Sequence, residues 1–417
     1  MRLTFDIIVS FVFFITLNLN ALREITPTML EGTYFQNLLQ LGFNQKTAYK
    51  IHDKIFQATG MGNTFIVITN KGNVIIDTSI KPIAEKHKKL LQAIDPGPIK
   101  YIILTMAQDD HTGGINLWKE PNTTIIQQRN AVEFMHWQAR VKGKGNYSAK
   151  IPATILFDTK YVFNLDNLRF ELYHTPGATY DQIIVWIPKY KIVFSSDNYY
   201  DSFPNIYTPL GTKPRWALDY ISSINKILDL KPSILAPSHG MPVYGNKKIT
   251  LLLTKYRDAI EYVHDRTVEG LALGKSKYAL MSSIKLPSEL KLPETYGQVN
   301  LSVRGIYEGY IGFFDGTLTD LFPIPPSDVY PEVVRLAGGP DIVAKRAKDL
   351  QTNGKTIEAL HLINMALAEN PKHQQSLKIK LILLNELLIK HQNQFMNLYI
   401  TIEINKTKSE IKNNEEK

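Results

Sequence analysis

"LTMAQDDHTGG", Leu104 to Gly114, closes an apolar run that begins at Ile99 with two carboxylates, a histidine and two glycines. A strand that ends by supplying Asp109, Asp110 and His111 delivers charged and imidazole groups into a cleft. Burying such groups without a partner is costly, so a cation is the natural companion. Gly113 and Gly114 let the backbone turn tightly into a following helix. At the two positions where further ligands would be sought stand Met106 and Gln108.

Outward from this stretch the chain alternates strand-like and helix-like segments. Upstream, "NTFIVITNKGNVIIDTS" (63–79) holds two β-branched runs joined at Lys71-Gly72, a hairpin signal. "IAEKHKKLLQAI" (83–94) has helical spacing, and "IKYIILT" (99–105) is a fully apolar strand. Strands follow at "TTIIQQ", "YVFNL", "RFELYHT", "QIIVWIP" and "KIVFSS"; a helix over 215–230 then leads to the strand "SILAPSHG". Hairpins followed by strand–helix alternation predict a layered sheet sandwich flanked by helices. Asp110, His111, Asp197 and His239 all follow apolar strands. Two His and two Asp from separate strands can converge on one divalent cation, with zinc, iron or manganese suited to nitrogen and oxygen ligands. Asp77, which closes "NVIID", is read as structural, bonding the loops beneath the site.

The chain has 417 residues, 44% hydrophobic and 21% charged, which suits a folded multidomain protein and argues against disorder. Its net charge of +9 is dispersed with no basic stripe, so no nucleic-acid partner is expected. There is no cysteine, hence neither disulfide nor thiolate ligand. Residues 1–21, with the apolar run Ile7–Leu19, read as a signal peptide for secretion, an uncleaved anchor being the alternative; no stable membrane span is expected. A sandwich domain over 22–250 precedes helical pattern over 251–395, interrupted between Pro287 and Pro326. Within it, two amphipathic helices are split at Asn370-Pro371. Residues 396–417 are polar and expected to be disordered.

"LTMAQDDHTGG" resembles the metallo-β-lactamase signature T-H-x-H-x-D-H-x-G-G, and "YHTPGATYDQ", "FSSDN" and "APSHGMPVYG" resemble the family's later loops. More narrowly, "DNYYDSFPNIYTPLGTKPRWALDY" and "RGIYEGYIGFFDGTLTDLFPIPP" resemble segments of the alkyl sulfatase-type members and their dimerisation domain. The resemblance implies an α/β fold, an αβ/βα sandwich followed by an all-α dimerisation domain, and a homodimer. It also implies that Met106, Gln108 and Ala178 replace ligands of a first metal, and that Leu210 replaces an arginine. The ligands of a second metal remain as Asp110, His111 and His239, with Asp197 bridging. One zinc per chain is expected, with iron or manganese as alternatives. Asn205, Tyr207 and Arg215 would orient a small anionic ester, arginine through its planar fork of donors. The implied function is hydrolysis of a sulfate or related ester through a metal-bound water, with Asp110 in the catalytic centre. A non-catalytic dimeric paralogue with a binding or scaffold role is the alternative.

Overall fold

The computed structural model describes residues 42, 44–141, 153–207, 215–314, 316–391 and 393–415; the 1–21 segment and Leu210 lie outside them. One sheet runs in the order β1 (Tyr49–His52), β2 (Ile55–Ala58), β3 (Thr64–Val67), β4 (Asn73–Ile76), β5 (Ile99–Ile103), β6 (Thr124–Gln128), β7 (Ile155–Phe157). The second contains β8 (Lys160–Leu165), β9 (Leu168–His174), β10 (Ile183–Ile187), β11 (Ile192–Ser196), β12 (Ile234–Pro237) and β13 (Val243–Tyr244), again with sequence neighbours adjacent. Most pairs are antiparallel, but β4–β5, β5–β6, β6–β7 and β11–β12 are parallel. Parallel neighbours end at the same edge of their sheet, where the loops after β4 and β5, and after β11 and β12, can meet.

The strand alternation decides the layers. Val74 and Ile76 of β4 join Ile103, Ile126, Phe170, Val185 and Phe194 in the core between the sheets. The alternate residues Ile75, Ile102 and Ile125 face outward and pack with Leu91 of helix α1 (Lys81–Gln92) and with Trp118. On the second sheet Ile184, Trp186 and Val193 face the other way and pack on α2 (Ala217–Asp229) and α3 (Asn246–Ala272). A period of two with both faces apolar requires a helical layer on each outer face, which is the αβ/βα arrangement. Across the middle, Phe65 meets Phe194 edge-on at 5.0 Å between ring centroids.

The described residues part into two compact units between Tyr310 and Ile311, later than the boundary at 250 read from the sequence. The reason is burial. Leu253, Tyr256, Ile260 and Val263 of α3, Leu280 of α4 (Lys277–Ser283), and Val303 and Ile306 of α5 (Val299–Ile311) share the core on the second sheet's outer face. Helix α5 also occupies the segment read as a Pro/Gly-rich interruption. The second unit is helical: α6 (Tyr330–Leu336), α7 (Pro340–Thr352), α8 (Thr356–Glu369), α9 (Gln374–Lys390) and α10 (Gln394–Glu415). Ala344, Ala347, Ala359, Ile363, Ile379 and Leu383 form its centre. Residues 396–415, expected to be disordered, are helical instead. Leu398, Thr401, Ile404 and Thr407 recur at three-residue spacing and are buried, and Ile400 and Ile404 pack with Leu384 and Leu387. Two threonines in that stripe hide its apolar character. Among the described residues no helix is long and apolar enough to cross a membrane.

Candidate metal centre

Four strand ends build the site. Asp77 follows β4, Thr105 and the loop to His111 follow β5, Asp197 follows β11, and Ser238-His239 follow β12. Asp77 and Ser196 sit at φ 55° and 52°, a left-handed conformation that non-glycine residues adopt rarely and that persists where surroundings over-determine it. Here they do. Asp77 Oδ1 accepts from the Thr105 backbone N–H at 2.7 Å, while its Oδ2 accepts from Thr105 Oγ1 at 2.6 Å, His111 Nδ1 at 2.8 Å and Ser238 Oγ at 3.2 Å. Thr105 has spent its proton on Asp77, so Ser196 donates to Thr105 at 2.8 Å. Asp77 is thus the keystone beneath the site, in agreement with its structural reading. The Thr105, Ser196 and Ser238 hydroxyls were not read from the sequence; their signal is a hydroxyl residue at or just past each strand end.

The short helix Asp109–Thr112 places Asp110 and His111 together. Gly113 and Gly114 have ordinary negative φ values, −62° and −95°, so the sharp-turn reading is corrected: they provide room. A Cβ on Gly114 would stand 2.3 Å from the Thr78 carbonyl oxygen. The His239 loop is tied down by Asn63, whose Nδ2 donates to the Pro237 and Gly240 carbonyls at 3.0 and 2.9 Å. Asn63 was also missed.

Asp110, His111 and His239 each offer an atom within 4.8 Å of the others. His239 Nε2 lies 3.4 Å from Asp110 Oδ2 and 3.3 Å from Asp197 Oδ1; His111 Nε2 lies 3.6 and 3.7 Å from the same two oxygens. All four residues predicted as ligands are therefore brought together. His111 Nε2, Asp110 Oδ1 and Asp197 Oδ1 are buried without a hydrogen-bond partner. Buried polar atoms are rarely left so, and a cluster of both signs with unspent lone pairs fits a divalent cation. His111 Nδ1–H is committed to Asp77, which leaves the Nε2 lone pair for the ion. Burial opposes a charged His111, but Asp77, Asp110 and Asp197 outweigh it and raise its pKa to about 9. Burial likewise works against ionised Asp197, yet His239, His111 and Arg215 hold its pKa below the usual value. His239, 31% exposed at its side chain, is the open side of the cluster.

The neighbouring half of the cleft is different. Met106 is fully buried and Ala178 nearly so, and both belong to the apolar core with Tyr199, Phe203 and Tyr220. Thr179 Oγ1 donates to Met106 Sδ at 3.5 Å. Gln182 Oε1 accepts from the Ala178 N–H at 2.9 Å, so it secures the loop. Asp181 is buried and its pKa is pushed up to about 6, chiefly by that burial. Of the anion-orienting candidates, Arg215 Nη1 donates to the Asn205 carbonyl at 2.9 Å, and Arg215 stands close enough to Asp197 to feel its charge. Tyr207 does not join them: its hydroxyl donates to Glu308 at 3.2 Å, and its ring packs against Gly305 and Arg304.

Residues 58–239 match the metallo-β-lactamase superfamily model and residues 279–408 the alkyl sulfatase dimerisation model. These two matches, with the alkylsulfatase relatives, support an alkyl sulfatase-type member of the metallo-β-lactamase superfamily. It is 28% identical over 345 residues to a linear primary-alkylsulfatase of a Pseudomonas species, covering 72% of this chain and 64% of the relative. An alkyl/aryl-sulfatase of Saccharomyces cerevisiae is 24% identical over 380 residues, 79% of this chain and 58% of that one. The solved structure of a stereoselective inverting sec-alkylsulfatase from Pseudomonas shares the fold, with TM-score 0.79 at 21% identity over 86% of this chain and 65% of the other. The chain spans less than two thirds of the length of these relatives. The superfamily match implies a divalent metal, and the Asp110–His111–His239 cluster is where the residues present fit one.

Proposed function

We propose that this superfamily member is a hydrolase of sulfate esters that works with one divalent cation, zinc before iron or manganese. The observation that carries the reading is the buried cluster of Asp110, His111, Asp197 and His239 with three orphaned ligand atoms. A divalent cation there would polarise the ester and acidify the attacking water. The chain's own residues do the rest. Asp77 holds the His111 ring so that Nε2 faces inward. Arg215, close to Asp197, supplies fixed positive charge for an anionic group, and Asn205 anchors Arg215 through its carbonyl. Similarity to alkylsulfatases over 72% and 79% of the chain supports a sulfate ester as the substrate class. The dimerisation match supports a homodimer, and the apolar stretch Ile7–Leu19 supports secretion.

A second reading rests on the apolar half of the cleft: with Met106 and Ala178 in the core, the chain is a non-catalytic dimeric binding protein. Assay of purified protein on a panel of linear and secondary alkyl sulfates, with and without chelator, separates the two. Chelator-sensitive release of sulfate supports the hydrolase. A cation-loaded protein inert on the whole panel supports the second reading.

A further inference from the structure

The two histidines of the cluster are held in different ways. The His111 ring is fixed through its own Nδ1, which is bonded to Asp77 at 2.8 Å. Among the described residues His239 is bonded only through Nε2, to Asp110 and Asp197 at 3.4 and 3.3 Å. A histidine ligand is ordinarily oriented by a hydrogen bond on its second ring nitrogen. His239 has none, so its orientation must come from its backbone. Two amide side chains of the first sheet reach that backbone. Asn63, just before β3, donates from its backbone N–H to the Ser238 carbonyl at 2.7 Å, and from Nδ2 to the Pro237 and Gly240 carbonyls at 3.0 and 2.9 Å. Gln57 of β2 donates from Nε2 to the same Gly240 carbonyl at 2.9 Å. Both residues are fully buried. The carbonyls on either side of His239 are thus gripped from a different sheet. Gln57 Oε1 is buried without a partner, a cost that a side chain serving only to pack would avoid.

We infer that Asn63 and Gln57 are positioning residues for the cation centre: their amides clamp the 237–240 turn and so aim the imidazole of His239, whose ring has no support of its own. Gly240 suits the turn to this grip, since its φ of 85° is one that glycine adopts without strain. The same sheet supplies a comparison. Asn73, also buried, stands at the end of β4 remote from Asp77, and its Nδ2 donates to Asp95 at 2.8 Å. It has the chemistry of Asn63 without the connection to a ligand. The inference rests on the proposed cation site and names the residues that set one of its ligands.

The test is chelator competition for zinc on the full-length protein, with the melting temperature of the metal-free form read on the same samples. Wild type is compared with Asn63→Ala, Gln57→Met and Asn73→Ala. Losing a residue that orients a ligand weakens metal binding about 10–100-fold, the range expected for Asn63→Ala. Gln57→Met keeps the volume and removes one hydrogen bond to the turn, so zinc affinity falls roughly fivefold. Asn73→Ala lowers the melting temperature as Asn63→Ala does and leaves zinc affinity at the wild-type value. Cobalt(II) in place of zinc reports ligand geometry: its visible absorption changes in Asn63→Ala and matches wild type in Asn73→Ala. Wild-type zinc affinity in Asn63→Ala overturns the inference, or in Gln57→Met should the first variant not fold. A loss in Asn73→Ala as large as in Asn63→Ala also overturns it, because the effect would then be one of stability alone. Failure of the cation reading is distinct: wild type itself would take up no metal, and the inference would fall with it.

Discussion

The two halves of the cleft sit on one scaffold and differ in what they have kept. On one side Asp110, His111, Asp197 and His239 crowd within 3.3–3.7 Å contacts, underpinned by Asp77. On the other, Met106 and Ala178 are part of the apolar core. Like charges and buried lone pairs are tolerated only where something compensates them, whereas an apolar replacement needs no compensation. The polar half holds its charged side chains together with the hydrogen bonds that position them, and the apolar half packs with α2 and α3.

The largest break in this contrast is His111→Ala. It removes a proposed ligand and leaves Asp77 Oδ2 short of its imidazole partner. Cation content should fall to near zero, and stability by about 3–5 kcal/mol, as for a buried pair losing one member, read by elemental analysis and denaturant titration. Asp77→Ala leaves the ligands but frees the His111 ring, so cation affinity should drop about 10–100-fold, measured by competition with a chelator. An affinity equal to wild type would show that Asp77 does not orient the ring.

A pH-dependent effect separates the centre from the outer layer of the same domain. His87, buried with its ring nitrogens against Thr64 Oγ1 at 3.0 Å and the Thr59 carbonyl at 3.2 Å, has its pKa lowered to about 4, mainly by burial. The unfolded chain binds a proton near pH 6.5 that the folded chain refuses. Stability is therefore full above that pH and is lost as pH falls from about 6.5 to 4, by about 3 kcal/mol. His87→Gln should flatten the fall in melting temperature over that window. The smallest change is expected from Met106→His with Gln108→His. Ala178 still supplies no third ligand, so cation content should stay at one per chain, with about 1–3 kcal/mol of stability lost to buried imidazole. A second cation in the double variant would mean the apolar half is still shaped as a metal site.

Much of the polar half was legible because apolar runs stop close to charged residues: Ile76 before Asp77, Phe194 three residues before Asp197, Pro237 two residues before His239. The layers followed from the period of two in "NVII" and "QIIVWI". Other features were hidden for physical reasons. Tyr207 sits near Asn205 in sequence, yet its hydroxyl turns to Glu308, an ion-pair partner supplied by α5. The unit boundary at Tyr310 depends on what α3 and α5 bury against, which periodicity does not specify.

The most direct test of the central claim is metal analysis of purified wild-type protein and His239→Ala after reconstitution with zinc, iron or manganese. The geometry predicts about one divalent cation per wild-type chain and loss of it in the variant. Metal-free wild type, or His239→Ala retaining the ion at full occupancy, would contradict it.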